Sequence, residues 1–367
     1  MENKKNLVVT LADQNFLPQA KQLFSSVYWN AGWNGDFLLL AHEVPDEKLE
    51  WFRNKGIHIK KCTAIHNQSI GFNQHPPVVL DKLLLFSPEF KQWGRIIFFD
   101  ADIIVKGSLD KLAKVNGFGA VSSNLNLKKQ FFSQNALYGE IKENYDVGKE
   151  SFTSGMFAFP TDIIRDDTLT TLMSLFNRYN SLVQFADEGI FNLYFHKQWI
   201  KLPVVFGLNV TRYTTGKINY NKKKVHGIVL HFIGTSSNDH YKPWHPDCPF
   251  YSEWLINCDK AESMDLKRPQ KVRRWNSQKI LYYSLLMKYY YEKAKSTNRL
   301  KQIFYFIKDK IIDRIKLFFI HKIFNNLKLF YFCILNTPER VVGKIGAFLK
   351  TFFPGLYNKL KRKKSQF

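Results

Sequence analysis

Short apolar runs recur along the first part of the chain, each followed by a segment with helical spacing. Leu7-Val8-Val9-Thr10-Leu11 reads as a first strand that opens into the polar loop Ala12-Asp13-Gln14-Asn15-Phe16. Ala20, Leu23, Phe24 and Val27 then recur at the spacing of one helical face. Phe37 to Ala41 is a second buried strand, Pro45 opens a helix running to Lys55, and Ile57-His58-Ile59 is a short third strand. This alternation predicts parallel βαβ units and an open α/β sheet covered by helices on both faces. Ligands in such sheets gather beyond the C-terminal ends of the strands. Pro77 to Phe86 is expected to be a helix, and Lys82 in its apolar stripe reads as a snorkelling surface lysine.

The pattern breaks at Arg95 to Val105. Ile96 to Phe99 has the character of a strand buried on both faces, yet Asp100 and Asp102 fall where apolar residues are expected. On a continuing strand, residues two apart project to the same side, with Cα atoms about 6–7 Å apart. Two carboxylates sharing an apolar site repel unless a cation lies between them, and Mn²⁺ or Mg²⁺ is the natural filler. The alternative is that the strand stops at Asp100 and Asp102 caps the next turn. The apolar strand leading in and Ile103-Ile104-Val105 leading out enclose the pair, which brings the cation reading level with the capping one. Haloacid-dehalogenase phosphatases also place Asp-x-Asp at a strand end, but on the first strand, whereas about a hundred residues precede it here.

Further on, Ser151 to Pro160 reads as a strand in which Gly155 allows close backbone approach to a ligand. A helix is expected from about Asp166 to Asn180. Asp187 and Glu188 open another apolar helix and read locally as N-terminal capping acids. His231 lies in the apolar strand Val229 to Ile233, the ordinary setting of a core histidine. Gly234 and Lys242 among polar neighbours make an anion site there, since lysine is a point charge for phosphate oxygens.

Charge divides the chain in two. Residues 267–367 carry a net charge of +21 out of +23 for the whole, together with 20 aromatic residues. The expected organisation is a nearly neutral catalytic domain over 1–262 and a basic, aromatic-rich helical extension over 263–367. Leu300, Phe304, Ile307, Ile311, Ile315 and Phe318 form one helical stripe, and Val341, Val342, Ile345, Phe348, Leu349 and Phe352 a second. Neither is a charge-free stretch long enough to span a bilayer, so the pattern fits helices lying in an anionic membrane surface. Nucleic acid would attract the same charge, but the aromatics share faces with Ile and Leu rather than interleaving with Lys, so no nucleic-acid partner is expected. Packing of these stripes on the body or on a second copy, as in a homo-oligomer, stays open. Four scattered cysteines argue against a disulfide framework or zinc module. The N-terminal apolar run is too short for a signal peptide, and the expected location is cytoplasmic, peripheral on the inner face of the cell membrane.

Six stretches in order and spacing carry a resemblance: Val9-Thr10-Leu11-Ala12, Leu80-Asp81-Lys82-Leu83, Phe98-Phe99-Asp100-Ala101-Asp102, Ser154-Gly155-Met156-Phe157, Ala186-Asp187-Glu188-Gly189, and His231 to Gly234 with Lys242-Pro243-Trp244. Over about residues 5–260 the chain resembles the glycogenin-like, family 8 nucleotide-sugar glycosyltransferases, which include bacterial lipooligosaccharide galactosyltransferases. The resemblance implies a GT-A, Rossmann-like mixed sheet and hexose transfer from UDP-galactose or UDP-glucose with retention at the anomeric carbon. The acceptor it implies is a glycolipid or saccharide of lipopolysaccharide type. It implies that Asp100, Asp102 and His231 ligate the metal, with Ala101 between the acids. Thr10, Ala12 and Phe16 would hold the uridine, and Lys82, Gly234 and Lys242 phosphates or sugar. Ser154 and Gly155 would line the donor site, Asp187 would grip the donor sugar, and Glu188 would lie near the anomeric carbon. A soluble, self-glycosylating initiator and a non-catalytic sugar-nucleotide or membrane-binding protein are the rival readings.

The chain departs from the family at three places. Glu188 stands where the family carries glutamine, which puts a carboxyl group there as nucleophile or as a tuner of the donor pocket. Thr153 replaces a frequent asparagine. The segment from Gly234 to Lys242 is longer than the family's tight loop, which leaves open whether Lys242 reaches the diphosphate.

Overall fold

The computed structural model describes residues 4–64, 76–134, 136–211, 225–234, 241–272 and 274–295. The strands are Leu7–Ala12 (β1), Asp36–His42 (β2), His58–Cys62 (β3), Arg95–Phe99 (β4), Ile103–Val105 (β5), Phe118–Asn126 (β6), Glu150–Pro160 (β7), Trp199–Lys201 (β8), Leu208–Asn209 (β9) and Val229–His231 (β10). Helices Leu17–Ala31 (α1), Glu50–Asn54 (α2), Leu137–Asn144 (α3), Thr168–Tyr179 (α4), Glu188–Tyr194 (α5), Tyr251–Ala261 (α6) and Ser277–Lys295 (α7) lie between and after them. Seven strands form one sheet in the order β3-β2-β1-β4-β7-β6-β8. β3, β2, β1 and β4 run parallel, while β7 pairs antiparallel with both β4 and β6. A second, three-stranded sheet has the order β5-β10-β9.

Both faces of the large sheet are covered, which is why its inner strands read as unbroken apolar runs. In β1, Leu7, Val9 and Leu11 join one core while Val8 and Ala12 join the other. The first core is rich in phenylalanine: Phe118 stacks on Phe195 with centroids 3.8 Å apart, and Phe98 on Phe157 at 4.9 Å. The second is covered by α1 through Leu23, Phe24 and Val27.

Three expectations change in detail. Pro77–Phe86 is a run of 3₁₀ turns, not an α-helix; Leu80, Leu83 and Phe86 recur every third residue, the spacing that lines up one face of a 3₁₀ helix. The segment opened by Pro45 is likewise 3₁₀ over Asp46–Leu49 before α2 begins. Strand β4 ends at Phe99, and Asp100 to Asp102 form a turn into β5 rather than a continuous strand.

The chain divides into two compact units, Met1–Met287 and Lys288–Phe367. The first takes in the residues just after 262, since Ala261, Met264 and Ile280 belong to the core under α1, and the Tyr28 hydroxyl donates to the Arg268 carbonyl at 2.8 Å. The two apolar stripes expected over 300–318 and 341–352 lie outside the described residues. Among the described residues, no helix is long and apolar enough to cross a membrane.

Candidate active site

At the C-terminal end of β4 the backbone is pinned before its side chains are used. The Thr10 hydroxyl donates to the Phe99 carbonyl at 2.8 Å, and the Asp100 amide donates to the Gly155 carbonyl at 2.9 Å. β5 then pairs antiparallel with β10, with His231 opposite Ile103, and the Phe232 amide donates to the Asp102 carbonyl at 3.1 Å. The turn and the second sheet thereby bring residues 100, 102 and 231 together. His231 Nε2 lies 3.2 Å from Asp102 Oδ1 and 3.8 Å from Asp100 Oδ2. One ligand atom from each of the three lies within 4.8 Å of the others.

These residues fit a divalent cation. Asp102 Oδ1 is buried and has no hydrogen-bond donor among the described residues. Gly155 is the floor of the cradle: a Cβ there would sit 2.7 Å from Asp100 Oδ2 and 2.9 Å from His231 Nε2, and closer still to His231 Cε1. Imidazole nitrogen and carboxylate oxygen are donors suited to Mn²⁺, with positions left for phosphate oxygens.

Two lysines face the acids. Lys82 is not the snorkelling surface residue its stripe suggests. It is buried, with Nζ 3.0 Å from Asp100 Oδ1 and 3.3 Å from Asp187, and it lies over the Phe98 ring at 5.2 Å. Burial disfavours its charge, but Asp100 and Asp187 more than offset this and raise its pKa above the usual lysine value. Lys242 does reach the site despite the longer preceding segment: its Nζ is 2.6 Å from Asp102 Oδ2 and 2.9 Å from the Phe232 carbonyl. Burial works against ionisation of Asp102, yet Lys242 and His231 hold its pKa well below the usual carboxylate range.

Asp187 and Glu188 are also more than helix caps. Asp187 makes no side-chain capping bond to α5 and turns to Lys82 instead; burial raises its pKa, with Lys82 pulling the other way. Ala186 before it has a left-handed φ of 48°, a conformation costly for a residue with a Cβ, and this kink sets the acids at the start of α5. Glu188 accepts from Gln130 Nε2 at 2.7 Å and from the Ser154 amide at 3.3 Å. Burial, opposed by the Gln130 bond, pushes its carboxyl up to about 7.

The other expected residues take more modest positions. Thr10 is fully buried with its hydroxyl used on Phe99, and Ala12 is buried at the end of β1. Phe16 is 42% exposed and meets Trp244 edge-on with centroids 6.0 Å apart, which brings the first loop beside the segment carrying Lys242. Ala101 is half-buried in the Asp-x-Asp turn, and Gly234 is exposed. Sequence reasoning missed Gln130, which no local pattern marks. It also missed Asn192, whose amide ties α5 to both backbone groups of Phe152 at 2.9 Å; a lone amide inside an apolar helix was the available signal. A third omission is the buried pair His42 and Asp81, whose Nδ1 and Oδ2 are 2.8 Å apart.

Known proteins are similar to this chain in sequence or in fold. Glycosyltransferase GlyB of Streptococcus pneumoniae is 30% identical over 166 residues, 43% of this chain and 36% of GlyB, so the chain spans about a third of that relative's length. Among solved structures, the bifunctional glycosyltransferase WbbM aligns with a TM-score of 0.51 at 19% identity, over 70% of this chain and 50% of that one. An active-site glutamine-to-glutamate mutant of LgtC aligns with a TM-score of 0.51 at 17% identity, over 69% of this chain and 95% of that one. These two share the fold, which is GT-A. The sequence profile of glycosyl transferase family 8 matches residues 7–248, and the chain belongs to that family.

Proposed function

We propose that the chain transfers a hexose from UDP-galactose or UDP-glucose, with retention at the anomeric carbon, to a glycolipid or saccharide acceptor. The observation that carries this reading is the convergence of Asp100, Asp102 and His231 on the space left by the missing Cβ of Gly155. A divalent cation held there, Mn²⁺ or Mg²⁺, would supply positive charge to offset the diphosphate of the leaving UDP. Around it stand the carboxylates of Asp100, Asp102 and Asp187 against the ammoniums of Lys82 and Lys242. That surplus of negative charge suits a divalent cation.

In the reaction the anomeric C–O bond breaks, UDP leaves with its electron pair, the acceptor oxygen bonds to the same carbon, and the acceptor proton is released. Lys82 fixes the orientation of Asp187, which is assigned to the donor sugar's hydroxyls. An ionised Glu188 stabilises the positive charge that builds on the sugar as the bond breaks. The decisive experiment incubates a panel of UDP-sugars with Mn²⁺ and follows release of UDP. Asp102→Asn and chelation of the metal should each abolish it, and full activity after chelation would sink the assignment. Label appearing on the chain itself would favour a self-glycosylating initiator.

We place this activity at an anionic membrane surface, on the inner face of the cell membrane, because residues 267–367 combine a net charge of +21 with 20 aromatics. Flotation with anionic but not neutral vesicles is the expected result; flotation with neither would remove this part of the reading.

A further inference from the structure

We propose that Lys242 is an exchangeable counter-cation of the metal site, which yields Asp102 to the divalent ion when a nucleotide diphosphate takes up its ammonium. The inference rests on the donor reading above and deepens it.

Its basis is the position of one carboxylate between an ammonium and an imidazole. Asp102 Oδ2 is engaged by Lys242 Nζ at 2.6 Å, while Oδ1 lies 3.2 Å from His231 Nε2. A divalent ion held by Asp100, Asp102 and His231 would therefore share the Asp102 carboxylate with an ammonium. Both side chains are largely shielded, at 14% and 13% exposure, so the repulsion between the two cations is weakly screened.

Lys82 is in a different position. It is only 4% exposed, spans Asp100 and Asp187, and lies against Phe98, so its displacement would strand two acids. Among the described residues, Lys242 meets one acid and one carbonyl and lies over the Trp244 ring at 5.7 Å, and an ammonium has three hydrogens to offer. One hydrogen can stay on the Phe232 carbonyl while the others turn to a diphosphate, which frees Asp102 for the metal. Metal and nucleotide should accordingly each raise the other's affinity, by the same factor.

The test uses the full chain and Mn²⁺ itself, with free Mn²⁺ followed by electron paramagnetic resonance in the absence and presence of UDP. Lys242→Gln keeps a donor for the Phe232 carbonyl, and Lys242→Met serves as a second uncharged variant in case the first is poorly folded. Either should bind Mn²⁺ alone about tenfold more tightly than the native chain, and the gain in Mn²⁺ affinity on adding UDP should shrink by a similar factor. Lys242→Arg should behave as the native chain does. Equal or weaker Mn²⁺ binding by the uncharged variants overturns the exchange and leaves Lys242 as a phosphate ligand only. If the native chain binds no Mn²⁺ even with UDP, the donor reading fails, and this inference with it.

Discussion

Adding one methyl group at Gly155 tests the site most directly. The backbone there lies outside the left-handed region, so alanine is not strained by its own dihedrals, and the effect must come from space. Ordinary contact begins near 3.4 Å, whereas the new Cβ would stand 2.7 Å from Asp100 Oδ2, so that oxygen has to retreat by about 0.7 Å and the imidazole of His231 by more. Metal–ligand distances hold to within about 0.2 Å, so two of the three ligands would be pushed out of range. Outer-sphere changes alone weaken metal binding by about 10–100-fold, and displacing ligands should exceed about 100-fold. The overlap should also cost about 1–3 kcal/mol of stability, as overpacking generally does, lowering Tm by a few degrees. Mn²⁺ titration of Gly155→Ala, with a thermal melt alongside, reads both effects. If the variant binds Mn²⁺ as tightly as the native chain, within about twofold, and melts at the same temperature, the cradle described here does not exist.

Lys82→Met should leave Asp100 and Asp187 without their shared counter-ion, at a cost of about 3–5 kcal/mol. Denaturant unfolding measures it, and a loss below about 1 kcal/mol would mean that solvent already screens the acids. Glu188, whose carboxyl is raised from 4.5 to about 7, gives a pH signature. The folded chain binds this proton more tightly than the unfolded one, so its contribution to stability is complete below about pH 4.5 and is lost as pH rises through 7. Glu188→Gln should therefore be the more stable form at pH 8 and lose that advantage by pH 4, as melts at the two values would show. The same substitution should remove a limb of the activity profile that rises through about pH 7, because only the carboxylate stabilises a cationic sugar; an unchanged profile would exclude that role.

How far the sequence led differs from residue to residue. Leu7 to Leu11 and Ile96 to Phe99 are legible as strands because both faces of the sheet are covered and nothing but apolar residues fits. Asp100 and Asp102 are legible as neighbouring acids with the right donors for a cation, but they meet for a reason other than strand alternation: they lie on a turn, and the pairing of β5 with β10 closes it around His231. Lys82 and Asp187 look like surface or capping residues because each is read against its own helix, while their partners lie 105 residues apart in the chain. Gln130 is invisible for the same reason, being defined only by Glu188 across 58 residues. The 3₁₀ run Pro77–Phe86 shows the opposite case, since its third-residue spacing was present in the sequence and mimics a helix only over short stretches.

The register that sets His231 opposite Ile103 gives the chain a built-in sentinel. Two of the three candidate ligands are encoded near residue 100, but the third arrives only with a short strand laid down more than a hundred residues later. A chain that stops short of β10 lacks the imidazole, and on the proposed reading it should bind Mn²⁺ weakly. On that reading, parting β10 from β5 should by itself cost the ion its imidazole while both carboxylates stay in their turn.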